Sequence, residues 1–244
     1  MSHGYINIQN LLFQNTVSIR PGINIRIPTV GEIMSSNEEG YYDLVYALTA
    51  MPIDCMVGLE DAGIDFTTIN DYDLFLLLFN GIRSNDTSLV FGDLDFSEFV
   101  FDKSKENDEY ILRNSSGDII IDRLVHTEIA RVLRKIHGLT PNTKKPADEG
   151  TRKYLIERAR KKLKRKKQYK SQLEDLIISI VNTEQCKYNF EGIKELSIYQ
   201  FNESVRQIIK KVDYDNRMYG VYTGTISAKD LSQDDLTWFS QNKI

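Results

Sequence analysis

The chain has 244 residues, 41% of them hydrophobic and 27% charged, an ordinary balance for one large or two modest globular domains. Five Pro and fourteen Gly are too few for long disordered tails, and the two cysteines, Cys55 and Cys186, make neither a disulfide framework nor a Cys/His metal motif. No apolar run approaches the ~20 residues of a bilayer span, and the opening MSHGYINIQNLLFQN carries no basic segment leading into an apolar one, so the expectation is an intracellular protein with no membrane partner.

Residues 1–36 read as a β arm. Val17, Ile19, Ile23, Ile25 and Ile27 alternate around Pro21-Gly22, the pattern of two strands joined by a tight turn. Such an arm can cover a core or extend a neighbour's sheet edge.

Residues 37–85 read as helical. Tyr41, Leu44, Val45 and Leu48 recur at i, i+3, i+4 and i+7, and Pro52 ends that helix. A short helix through Met56 and Leu59 closes at Gly63. DYDLFLLLFNGI starts at an Asn70 or Asp71 cap and is expected to stop at Gly81; apolar nearly all round, it belongs in the middle of a core.

From Ser88 to Asp122 the period changes to two. SLVF, FSEFVFD, EYILRN and DIIID are strand candidates, and Ser115-Ser116-Gly117-Asp118 suits a hairpin, giving a small antiparallel sheet.

The rest reads as helices. Leu124, Ile129, Val132, Leu133 and Ile136 mark one that ends at Gly138. Leu173, Leu176, Ile177, Ile180 and Val181 mark another. Ser197 with Gln200 is a capping-box signature before Ile198, Phe201, Val205, Ile208, Ile209 and Val212. Ser232 with Asp235 opens a last turn expected to bury Leu236 and Trp238. The whole predicts an α+β fold, mostly helical: a β arm (1–36), a helical unit with a small antiparallel sheet (37–122), and a C-terminal helical bundle (123–244).

The net charge of −4 conceals a strong asymmetry. From Arg152 to Lys170 there are eleven Lys or Arg against one acid, Glu157, which leaves twenty bases and thirty-four acids elsewhere. A basic helix is expected over 151–170. Leu155, Ala159 and Leu163 repeat every four residues with Ile156 adjacent, a stripe by which the helix can dock. Arg152, Lys153, Arg158, Lys161, Lys162, Arg165 and Lys166 are the bases it would present. Nucleic acid could use this charge through counterion release. Against that, Tyr154 and Tyr169 are too few for a stacking platform, and the acidic remainder repels phosphate. Pairing with acidic protein surface, of the same chain or a partner, is the favoured reading.

Signatures of catalysis are missing: no GxxxxGK(S/T), GxGxxG, HExxH or GxSxG occurs, and no cofactor or small-molecule substrate is implied. His3, His126 and His137 are scattered. His126 and His137 lie about three turns apart on one helix, ~16 Å, too far to share a metal, and are expected on the surface or partly packed. Asp93, Asp95, Glu98 and Asp102 could in principle hold Mg²⁺ for a nuclease, but a solvated sheet edge fits them better.

The segment NFEGIKELSIYQFNESVRQIIKKVDYDNRMYGVYTGTISAKDLSQDDLTWFS, with Phe201, Ser204 and Val205, then Tyr222-Thr223-Gly224, then Leu236 and Trp238, resembles virion and tail-module proteins of long-tailed phages infecting Gram-positive bacteria. RIPTVGEI (26–33), YDLFLLLF (72–79) and SQLEDLIISIVN (171–182) are similar to the same proteins. The resemblance implies a non-enzymatic tail-assembly chaperone or minor tail component. Its partners would be phage tail proteins, such as the tape-measure protein, or further copies of itself, in the host cytoplasm during assembly or in the virion. The alternative is a nucleic-acid-binding or DNA-packaging accessory protein using the basic helix. The resemblance brings no catalytic residues.

Overall fold

The computed structural model describes residues 10–105, 107–164 and 169–239. Strands β1 (Thr16–Arg20) and β2 (Ile23–Arg26) form the expected hairpin, Val17 opposite Ile25. Its turn needs Gly22, which sits at φ +82°, a region that a β-carbon disfavours. Val17, Ile19, Ile23, Ile25 and Ile27 are all buried, so the arm covers this chain's own core.

Helix α1 (Val30–Ser35) begins at a capping box: the Thr29 hydroxyl accepts from the Glu32 amide at 3.1 Å, and the Glu32 carboxylate accepts from the Thr29 amide at 2.8 Å. Helix α2 (Glu38–Thr49) buries Tyr41, Leu44, Val45 and Leu48 as their spacing predicts. A 3-10 turn at Pro52–Cys55 leads into α3 (Met56–Asp61). Helix α4 (Asp71–Arg83) is capped by Asn70, whose side chain accepts from the Asp73 amide at 2.9 Å. It runs two residues beyond Gly81, because burying Ile82 outweighs one glycine's low helix propensity.

SLVF is not a strand. Ser88–Phe91 is a helical turn, α5: the Asp86 carboxylate accepts from the Ser88 amide at 2.9 Å, the Thr87 carbonyl accepts from Val90 and Phe91, and Gly92 at φ +64° ends it. A four-residue apolar run satisfies either a buried strand or a buried turn, and here the flanking side chains decide. Strands β3 (Phe99–Lys103), β4 (Tyr110–Asn114) and β5 (Ile120–Ile121) make an antiparallel sheet in that order. The Tyr72 hydroxyl lies 2.9 and 3.0 Å from the Tyr110 and Ile121 carbonyls and ties α4 to the sheet.

Helix α6 (Arg123–His137) starts at an Asp122 cap and ends at Gly138, φ +64°. Its buried stripe is Val125, His126, Ile129, Val132, Leu133 and Ile136; Leu124, expected in the stripe, is exposed one position before it. Helices α7 (Glu149–Leu163), α8 (Gln172–Val181), α9 (Phe190–Lys194) and α10 (Ile198–Tyr222) follow. The capping box at Ser197 and Gln200 forms as expected. Ile198, Phe201 and Val205 are buried, but α10 then outruns the body: Ile209 is 61% exposed and Val212 is exposed too. The Ser232–Asp235 box also forms, yet Leu236 and Trp238 stay 41% and 39% exposed, so the last turn fully buries neither. Among the described residues no helix is long and apolar enough to cross a membrane.

The main core joins the hairpin, α1, α2, α4, α6, the sheet and the inner faces of α8, α9 and α10. Backbone bonds join the segment before α1 to the segment before α10: Val30 donates to the Leu196 carbonyl at 2.9 Å and Ile198 to the Pro28 carbonyl at 2.8 Å. A smaller satellite core gathers Ala50, Ile53, Leu59, Phe66, Leu74 and Ile156. This second cluster is where the basic helix meets the rest of the protein.

Candidate protein-docking groove

Helix α7 exists because Asp148 caps it, accepting from the Thr151 amide at 2.6 Å, and because one stripe of an otherwise charged segment has somewhere to go. It is shorter than the basic run: Leu163 is its last helical residue, Lys164 lies in a turn, and Arg165 and Lys166 fall outside the described residues. Ile156 is 4% exposed in the satellite core, against α3 and α4. Leu155 and Ala159 are half-buried, whereas Leu163, the end of the stripe, is 55% exposed.

The charges divide into two sets. Arg152 is nearly buried and committed to this chain: it pairs with Glu60, with Asp65 at 3.3 Å and with Glu149 at 3.1 Å, and its guanidinium lies over the Phe66 ring. Burial opposes its charge, but the fields of Asp65, Glu60 and Glu149 prevail and raise its pKa. Asp65 is held below the usual carboxylate range, mainly by the Thr67 amide and hydroxyl and secondarily by Arg152. Arg160 pairs with Asp61, and Lys153 reaches Glu149 at 3.8 Å. Part of the basic run therefore meets acidic surface of its own chain. Arg158, Lys161, Lys162 and Lys164 are exposed and have no ion pair among the described residues.

Next to the satellite core lies an open groove of about 1110 Å³. Leu74, Leu77 and Leu78 of α4 form its floor. Tyr46 of α2, Ile53, Cys55, Met56 and Leu59 line one wall, and Ala159, Lys162 and Leu163 the other. Leu77 is 52% exposed there. The all-round apolarity of α4 was the sequence signal for this floor, since a helix with more apolar surface than its core covers leaves some to a groove. Cys55 sits in the wall as a free, half-buried thiol 3.7 Å from the Tyr46 hydroxyl, and burial pushes its pKa up. Nothing in the sequence placed Tyr46, Cys55 and Leu77 together, because the groove is assembled from four separate elements.

The other residues weighed from the sequence do not converge. His126 is 2% exposed, not at the surface, stacked on Phe75 with ring centroids 4.4 Å apart and its Nδ1 unpartnered. Burial pulls its imidazole down to about 4. His137 is likewise held at about 4 by burial, with its Nε2 3.1 Å from the Tyr41 hydroxyl. Asp93 and Asp95 precede the sheet rather than lying on it, and Asp95 caps a 3-10 turn through the Ser97 amide. Asp102 is bonded to Arg113 at 2.7 Å. Among the described residues no group of three or more His, Cys, Asp or Glu could hold a metal ion.

Downstream of α7 lie α8, α9 and α10 with a second cavity of about 530 Å³, lined only by residues between Ile180 and Trp238. Residues 164–243 match the family model of the YomV second domain. YomV is a phage-region protein from Bacillus, and the match points to a phage-associated protein. The segment matching the YomV second domain begins at Lys164, directly after α7, so the groove lies just ahead of it. No curated protein and no solved structure matches the chain.

Proposed function

We propose that this is a non-enzymatic phage tail-assembly protein, a chaperone or a minor tail component, that works by docking helical segments of other tail proteins. The observation that carries the proposal is the groove between α3, α4 and α7: open, apolar, and bordered by cations that have no ion pair among the described residues. A tape-measure protein is a very long helical chain with apolar stripes that need cover until the tail tube surrounds them, and helix-in-groove packing is a direct way to cover them. Cations at the border add orientation and rapid encounter more than affinity. The working compartment on this reading is the host cytoplasm during assembly, with retention in the virion as the outcome for a minor tail component.

The test is co-purification of the full chain from phage-infected cells, comparing wild type with Leu77→Glu and with a Lys153→Glu, Arg158→Glu, Lys161→Glu and Lys162→Glu variant. Wild type should bring down a tail protein at ~0.15 M salt, and both variants should lose it while keeping the wild-type circular dichroism. Retention of the same partner by both folded variants would defeat the proposal. Nucleic-acid binding with a steep negative salt slope, lost only in the charge variant, would favour the packaging alternative.

A further inference from the structure

We infer that the occupant of the groove is an acidic amphipathic α-helix, contributed by a partner protein. The inference rests on the docking reading above and adds the chemistry of what docks. A helix rather than a strand is required because the groove is walled by helices and offers no sheet edge. An occupant there must satisfy its own backbone hydrogen bonds.

Acidity follows from the local balance of charge. The acids nearest α7 already have partners, Asp61 with Arg160, and Glu60, Asp65 and Glu149 with Arg152. Asp54 also lines the groove and keeps its charge while its carboxylate accepts from the Met51 amide at 2.9 Å, so the preference for acid lies along the α7 flank. Lys162 lines the opposite wall, and Arg158 lies one turn before it on the same flank of α7. Two cations four residues apart match two carboxylates at i and i+4 on one flank of a docked helix, whose leucine-type face would fill the space between Leu77 and Leu163. A basic helix would place like charges along that flank, and a nucleic acid would find only one aromatic side chain, Tyr46, in the lining on which to stack a base.

Cys55 makes occupancy measurable, since its thiol lies in the wall, and Cys186, in the cavity among α8–α10, serves as internal reference. The experiment uses the full chain and two synthetic helical peptides with the same leucine stripe, one flanked by Glu and one by Lys. Binding is read by fluorescence anisotropy, and alkylation of each cysteine by mass spectrometry. The Glu peptide should bind at least ~10-fold tighter than the Lys peptide at low salt and slow Cys55 alkylation about tenfold, leaving Cys186 unchanged. Arg158→Glu with Lys162→Glu should reverse the preference. Equal protection by both peptides would overturn the acidic assignment while leaving a docking groove. No protection by either, with no effect of Leu77→Glu, would overturn the docking reading itself. Protection that grows with protein concentration alone would make the occupant a second copy of this chain and overturn the inference.

Discussion

Ile156→Ala is the sharpest probe of how α7 is held. Ile156 is its one fully buried side chain, and a fifteen-residue helix with so many like charges is marginal in isolation. Truncating a core Ile to Ala costs roughly 2–5 kcal/mol, and the adjoining groove lets the site relax, which places this case near 2–3 kcal/mol. The remaining ties are the Arg152 cluster with Glu60 and Asp65 at the first turns and solvent-facing ion pairs further on, which hold a helix weakly. The loss should therefore appear as local opening of α7, not as unfolding of the main core. At ~1.4 kcal/mol per tenfold, amide hydrogen exchange over 149–163 should accelerate roughly 30- to 140-fold while α6 amides change little. Hydrogen exchange read by mass spectrometry gives both regions in one experiment. Less than threefold acceleration in α7, or equal acceleration in α6, would refute the reasoning.

Other perturbations have defined outcomes. Folding keeps His126 neutral down to about pH 4, whereas the unfolded chain takes up a proton below about 6.5. Its contribution to stability is therefore complete above pH 6.5, falls as pH drops toward 4 by about 3 kcal/mol, and levels off below; His137 acts with the same sign. In urea titrations at pH 7, 5.5 and 4.5, His126→Leu should flatten that decline, and an unchanged decline would contradict the assignment. Ser197→Ala removes the acceptor for the Gln200 amide and should cost about 1 kcal/mol, lowering Tm by roughly 2–4 °C in a thermal scan. Trp238→Ala should shift Tm by under ~2 °C, because Trp238 is 39% exposed and its ring contacts Lys211 mainly through a cation–π approach of 5.7 Å.

Periodicity and capping chemistry made most of the fold legible. The Val17–Ile27 alternation became a buried hairpin, and the Tyr41–Leu48 stripe and the Ser197–Gln200 box became what their spacing says. The errors have physical reasons. SLVF was too short for its period to separate strand from helix, and Asp86 with Gly92 decided for a helical turn. Ile209 and Val212 continue a correct stripe, but a stripe states which face is apolar and not how far the body extends beneath it. The capping box at Ser232 predicts a turn, and nothing in it specifies what Leu236 and Trp238 pack against. For the site, the docking stripe on α7 could be read from Leu155, Ile156, Ala159 and Leu163. That Ile156 and Arg152 are consumed within the chain, while Leu163 and Lys162 border an opening, depends on acids and leucines a hundred residues away.

The central claim is that the groove receives a helix of a phage tail protein. The most direct measurement replaces Leu77, on the groove floor, with a photo-crosslinking phenylalanine analogue in the full chain, illuminates phage-infected cells, and sequences the adduct. The account predicts a crosslink into an acidic helical segment of a tail or tape-measure protein, abolished by Arg158→Glu with Lys162→Glu. Adducts confined to nucleic acid, to a second copy of this chain or to no phage protein would contradict it.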